Sequence, residues 1–146
     1  MTQLKEIISK FENRNISEVI CGGNMNGSVV IINSNNNISL KINSVWRLTS
    51  ESEVLASWDE NDNSKESNFT KQLKLLEGDK IISFVKSQFY DISLSLESGK
   101  TLFVLCDINS YYSDKYFENN WLICDKELNY CVGISRHLEE IVEVYD

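Results

Sequence analysis

Ile92-Ser93-Leu94-Ser95-Leu96-Glu97-Ser98-Gly99-Lys100-Thr101-Leu102-Phe103-Val104-Leu105 is the stretch that decides the fold. Ile92, Leu94 and Leu96 alternate with polar residues, as a strand with one buried face requires, and Ser98-Gly99 supplies a hairpin turn. An earlier stretch repeats the design. Ile38, Leu40 and Ile42 alternate with Ser39, Lys41 and Asn43 behind the turn Ser34-Asn35-Asn36-Asn37, and Val29 to Ile32 forms the preceding arm. Trp46 closes the first unit as Trp121 closes the second. The expectation is an α+β fold, an antiparallel sheet or sheets built from two similar hairpin-containing halves near residues 16–58 and 76–134. With 146 residues, the chain suits a single domain over 1–146, which buries roughly two-thirds of its unfolded surface.

Working outward, Leu4, Ile7, Ile8 and Phe11 fall at helical spacing, so Thr2 to Asn13 is expected to form an amphipathic helix with Thr2 as cap. Val19 to Cys21 reads as a short strand before Gly22-Gly23. Ile38 to Leu48 reads as one long strand, and Thr49 to Ser67 dissolves into a polar loop. Phe69 to Leu76 regains helical spacing and Gly78 is placed to stop it, giving one short connecting helix. Lys80 to Val85, the hairpin Asp91 to Cys106, a last hairpin of Trp121 to Cys124 with Tyr130 to Ile134, and an end strand Ile141 to Tyr145 complete the second half. The chain has no proline, so its turns fall to Gly, Asn, Asp and Ser.

Fourteen Lys and Arg against 22 Asp and Glu give a net charge of −8. The imbalance grows along the chain, from +2 over residues 1–50 to −4 over 51–100 and −6 over 101–146. Such a field repels phosphate backbones and anionic membranes and draws in a basic protein. No stretch approaches the roughly 20 apolar residues of a membrane span, and the first residues lack a signal peptide's basic start and apolar core. A cytoplasmic protein is expected.

Residues for catalysis are scarce. His137 is the only histidine, and it stands in Ser135-Arg136-His137-Leu138-Glu139, outside any nucleophile elbow. Asp59, Asn61 and Asn63 echo the start of a calcium loop, but Ser64 stands where the bending glycine belongs and Thr70 where the bidentate glutamate belongs. The four cysteines include no Cys-x-x-Cys pair; Cys106, Cys124 and Cys131 lie in apolar runs and read as small hydrophobes, with a disulfide between Cys124 and Cys131 as the alternative. No metal, no cofactor and no catalytic residue is expected.

Two acidic and aromatic clusters suit a protein interface instead. Trp58 stands beside Asp59, Glu60 and Asp62, and Tyr111 and Tyr112 are interleaved with Asp107, Asp114 and Glu118. Aromatic rings supply desolvated contact area, and carboxylates pair with Lys or Arg across a joint.

Leu76-Glu77-Gly78-Asp79-Lys80-Ile81-Ile82, the hairpin from Asp91 to Phe103, Asn120-Trp121-Leu122 and the segment Ile38 to Trp46-Arg47-Leu48 together resemble small bacterial immunity proteins of contact-dependent inhibition and other polymorphic toxin systems. The resemblance implies a cytosolic inhibitor that binds the C-terminal domain of its cognate toxin, often a basic nuclease, and blocks it stoichiometrically. It transfers no interface motif. A small enzyme with a carboxylate-based site and a homo-oligomeric ligand-binding scaffold are the competing readings.

Overall fold

The computed structural model describes residues 3–21, 29–58, 68–106 and 119–144. It contains two antiparallel sheets and two helices. The helix α1 (Gln3–Phe11) is followed by the meander β1 (Ile16–Ile20), β2 (Val30–Ser34) and β3 (Ile38–Ile42), then by the hairpin β4 (Val45–Thr49) and β5 (Val54–Ser57). The second half repeats this order with α2 (Asn68–Lys74), the meander β6 (Ile81–Lys86), β7 (Ile92–Leu96) and β8 (Thr101–Leu105), and the hairpin β9 (Asn119–Asp125) and β10 (Tyr130–Ser135). A last strand, β11 (Glu140–Val144), has no counterpart among the described residues of the first half.

The halves interlock. One sheet runs β1-β2-β3-β9-β10-β11 and the other β5-β4-β8-β7-β6, so each contains the meander of one half and the hairpin of the other. The joints are the register Ile42↔Trp121 between β3 and β9 and Trp46↔Val104 between β4 and β8.

Ile38 to Leu48 is therefore two strands, not one, with Asn43-Ser44 carrying the chain from sheet to sheet. The alternation runs unbroken through the bend, because Ile38, Leu40, Ile42, Ser44, Trp46 and Leu48 are all buried. A period of two records which side chains point inward and is silent about which sheet receives them. The expected loop from Thr49 to Ser67 also contains β5. Its pairing with β4 is bulged, and only Ala56 of its residues is fully buried, so the strand leaves little hydrophobic pattern. The first strand begins earlier than expected, at Ile16, whose side chain and that of Val19 are buried.

Each helix packs between the sheets. α1 lies against β3, β9 and β10 on one side and β6 on the other, while α2 touches β1 and β5. Leu4, Ile7, Ile8 and Phe11 form the buried stripe of α1; Thr2, the expected cap, lies outside the described residues. Phe11 meets Phe84 edge to face at 6.0 Å, and Phe84 meets Trp121 at 6.0 Å, so one aromatic file joins helix and both sheets. Trp46 and Phe69 make the matching contact with α2 at 4.9 Å. Each of these buried rings contributes roughly 1.5–3 kcal/mol through burial.

Both helices stop alike. Asn13 and Gly78 take positive φ values of 64° and 90°, the left-handed turn that ends a helix. Asn13 N–H then donates to Ile81 O and Gly78 N–H to Ile16 O, tying each helix exit to the first strand of the other half.

Cys124 and Cys131 are joined in a disulfide, which overturns the expectation of free thiols for this pair. Register is the reason. Cys131 stands directly opposite Cys124 in the β9–β10 hairpin, with Cα atoms 4.0 Å apart. Cys21 and Cys106 are free. Among the described residues no helix is long and apolar enough to cross a membrane.

Candidate functional site

β5 and β8 flank β4 and both run antiparallel to it, so they point the same way. Ser57, Arg47 and Phe103 lie abreast in the ladder, and Val45 faces Leu105. Trp58 and Cys106, the residues beyond those strands, thus leave the five-stranded sheet at one end. The stretch with Asp59, Glu60 and Asp62 starts at the first point, and the stretch with Asp107, Tyr111, Tyr112, Asp114 and Glu118 starts at the second. Those eight residues lie outside the described residues, as do the calcium-like Asp59, Asn61 and Asn63.

Trp58 is described, and it is 41% exposed. Its position is held by the buried Ala56 before it and by Asn68 at the start of α2, whose Nδ2 donates to Leu55 O at 2.9 Å. Trp46 and Trp121, expected in the core, are fully buried.

The same end of the sheet carries two apolar side chains that the interface clusters did not include. Leu105 is exposed at the tip of β8, and Phe89, 64% exposed, stands in the turn between β6 and β7. Ser87 shapes that turn: its Oγ accepts the N–H groups of Phe89 and Asp91. A single phenylalanine among Ser87, Gln88 and Asp91 carries no periodicity, so only the turn geometry reveals it.

Beneath these residues lies a closed polar junction. Asp91 Oδ1 accepts the Cys106 N–H at 2.6 Å, while Tyr90 O accepts both the Trp121 indole N–H at 2.9 Å and the Cys106 thiol at 3.2 Å. Burial, and then the Asp91 charge, push the Cys106 thiol up to about 12. At neutral pH it is a protonated thiol, not a nucleophile. Nearby, the buried Arg136 donates through Nη1 to Asn120 Oδ1 at 3.1 Å and through Nη2 to Asn43 O at 2.8 Å. Its guanidinium thus fastens the β3–β4 bend to β9. His137, next to it, is exposed in the turn before β11.

At the opposite end of the five-stranded sheet, Ser50, Glu51, Ser52, Ser98, Gly99 and Lys100 line an open recess of about 400 Å³ between two hairpin turns. One Glu and one Lys are its only ionisable side chains. Among the described residues, no three His, Cys, Asp or Glu side chains are grouped to hold a metal ion. No family model, curated protein or solved structure matches this chain.

Proposed function

We propose that this chain is a cytoplasmic immunity protein that binds the C-terminal domain of a cognate bacterial toxin, a basic nuclease by preference, and neutralises it by stoichiometric occlusion. One observation carries the reading: the two acidic and aromatic stretches begin at the same end of the five-stranded sheet, beside the exposed Trp58, Leu105 and Phe89. Exposed rings next to carboxylates provide the desolvated anchors and the charged rim of a protein joint. The net charge of −8 adds long-range attraction toward a cationic cleft of the kind that holds nucleic acid.

In this mechanism the chain performs no chemistry. Its carboxylates take the place of the phosphates a nuclease would hold, and Trp58 fills contact area beside them. The test is complex formation with the C-terminal domain of a large secreted protein encoded by a neighbouring gene. Association is expected to slow at least tenfold between low and physiological salt. Neutralising Asp59, Glu60 and Asp62 together with Asp107, Asp114 and Glu118 is expected to abolish protection of cells that express the toxin. A complex that ignores both salt and neutralisation contradicts the proposal.

A further inference from the structure

The sheets end in the edge strands β1, β11, β5 and β6, and an open edge invites another strand. On β1, Ile16 N–H donates to Asp79 O, Gly78 N–H donates to Ile16 O, Glu77 Oε2 accepts the Val19 N–H, and Lys74 Nζ donates to Val19 O. On β6, Ile81 N–H donates to Arg14 O, Asn13 N–H donates to Ile81 O, and Glu12 Oε2 accepts the Phe84 N–H. On β5, Leu55 O is taken by Asn68. Among the described residues β11 pairs with β10 alone.

Register shows which groups β11 offers. Ser135 N–H donates to Glu139 O at 2.9 Å, which makes that pair a bonded one. Bonded and non-bonded pairs alternate in an antiparallel ladder, so Gly133↔Ile141 and Cys131↔Glu143 are bonded too. Glu140, Val142 and Val144 occupy the non-bonded positions, and their N–H and C=O groups point away from β10. Their side chains are also exposed, Val142 at 45% and Val144 at 74%.

We propose that β11 accepts an extended basic segment of the partner protein as a seventh strand of the larger sheet. Glu139, Glu140 and Glu143 make this edge anionic, within a third of the chain that carries −6, and Arg136 turns its charge inward to Asn120 and Asn43. A strand alternating valine-like and lysine-like residues sets apolar groups against Val142 and Val144 on one face and cations on the other, the face of Glu139 and Glu143, while Glu140 flanks the apolar pair. A second copy of this chain fits worse, since antiparallel self-pairing about Val142 sets Glu140 opposite Val144, makes the two Glu143 side chains diagonal neighbours and brings together two chains of net charge −8. The inference rests on the reading of a cationic protein partner and adds where that partner's strand lands.

The test titrates the isotopically labelled protein with an octapeptide of alternating valine and lysine and with one of alternating valine and glutamate. The lysine peptide is expected to shift the amide resonances of Val142 and Val144, slow their hydrogen exchange, and bind at least tenfold tighter than the glutamate peptide. Val142→Pro removes an outward N–H and no bond to β10, so it is expected to weaken the lysine peptide at least tenfold; the double variant Val142→Lys, Val144→Lys does the same without a backbone constraint. Shifts confined to other strands, equal binding of both peptides, or a dimer that Val142→Pro dissociates each overturn the proposal. A toxin domain bound equally well by parent and Val142→Pro chains overturns the edge assignment while sparing the partner reading. A chain that takes the peptide at β11 but binds no toxin domain leaves the edge standing and removes the immunity function.

Discussion

Glu12 and Glu77 close each other's half of the molecule. Glu12, just past α1, accepts the Phe84 N–H of β6 at 3.2 Å, and Glu77, just past α2, accepts the Val19 N–H of β1 at 2.9 Å. Val19 and Phe84 are each the fourth residue of their strand, so the duplication extends from element order to single hydrogen bonds. A carboxylate on an edge amide removes a donor that an incoming strand would use.

Glu12→Ala and Glu77→Ala are each expected to cost about 1.5–3 kcal/mol in urea unfolding, the usual value of a hydrogen bond to a charged group. Because the two act on different edges, their double variant is expected to lose the sum. Glu77→Gln keeps an acceptor and is expected to recover most of the loss.

Gly133 stands opposite Leu122 in the β9–β10 ladder. A Cβ placed there would stand 2.3 Å from Trp121 O and 2.6 Å from Leu122 Cδ1. The backbone oxygen belongs to a strand paired on both sides and has little room to retreat. Gly133→Ala is therefore expected to destabilise by about 2–3 kcal/mol, seen as a lower thermal midpoint, whereas alanine at the exposed Gly78, which meets nothing within 4 Å, costs about 1 kcal/mol through its positive φ alone.

Lys10 and Asp125 connect α1 to the β9–β10 turn, with Nζ 3.0 Å from Oδ2. Asp125 Oδ1 meanwhile accepts the Glu127 and Leu128 N–H groups. Burial of Asp125 pulls its pKa up, but Lys10 and those amides outweigh it and hold the carboxyl below its ordinary 3.8. The hydrogen bond to Asp125 raises Lys10 above its ordinary 10.5. The Asp125 contribution is thus present above pH 3.8 and lost as pH falls through the lowered value; the Lys10 contribution is present below pH 10.5 and lost as pH rises past the raised one. Asp125→Asn is expected to flatten the acid limb of a stability-against-pH curve. Lys10→Met is expected to flatten the alkaline limb more weakly, because water screens its side chain.

Much of this architecture was legible in residue order. The stripe Leu4, Ile7, Ile8 and Phe11 specified α1, the alternation around Ser98-Gly99 specified β7 and β8, and the twin tryptophans marked corresponding places in two halves. The division into two sheets was not legible, since Ser44 continues the inward alternation straight through the bend at Asn43. Nor was the Cys124–Cys131 pairing decided by spacing; it depends on the hairpin register that sets the two residues opposite each other. The meeting of Trp58 and Cys106 at one sheet end depends on strand directions across β4, a relation between residues far apart in the chain. That β11 is an edge pairing with β10 alone among the described residues, while β1, β5 and β6 have backbone groups bonded from outside their sheets, depends on contacts that no local sequence pattern encodes.

The same duplication makes Trp46 and Trp121 a natural comparison, because both are fully buried but only one is fully satisfied. Trp121 Nε1 donates to Tyr90 O, whereas Trp46 Nε1 is buried without a hydrogen-bond partner among the described residues. Removing either indole for a phenyl ring leaves a similar void, which costs about 1–3 kcal/mol through lost packing. Trp121→Phe also breaks the bond to Tyr90, while Trp46→Phe relieves an unpaired buried donor. Urea unfolding is expected to rank Trp121→Phe below Trp46→Phe by about 1–2 kcal/mol. Equal losses would mean that the Tyr90 carbonyl is satisfied by the Cys106 thiol alone, and Cys106→Ala in the Trp121→Phe background would then show the missing cost.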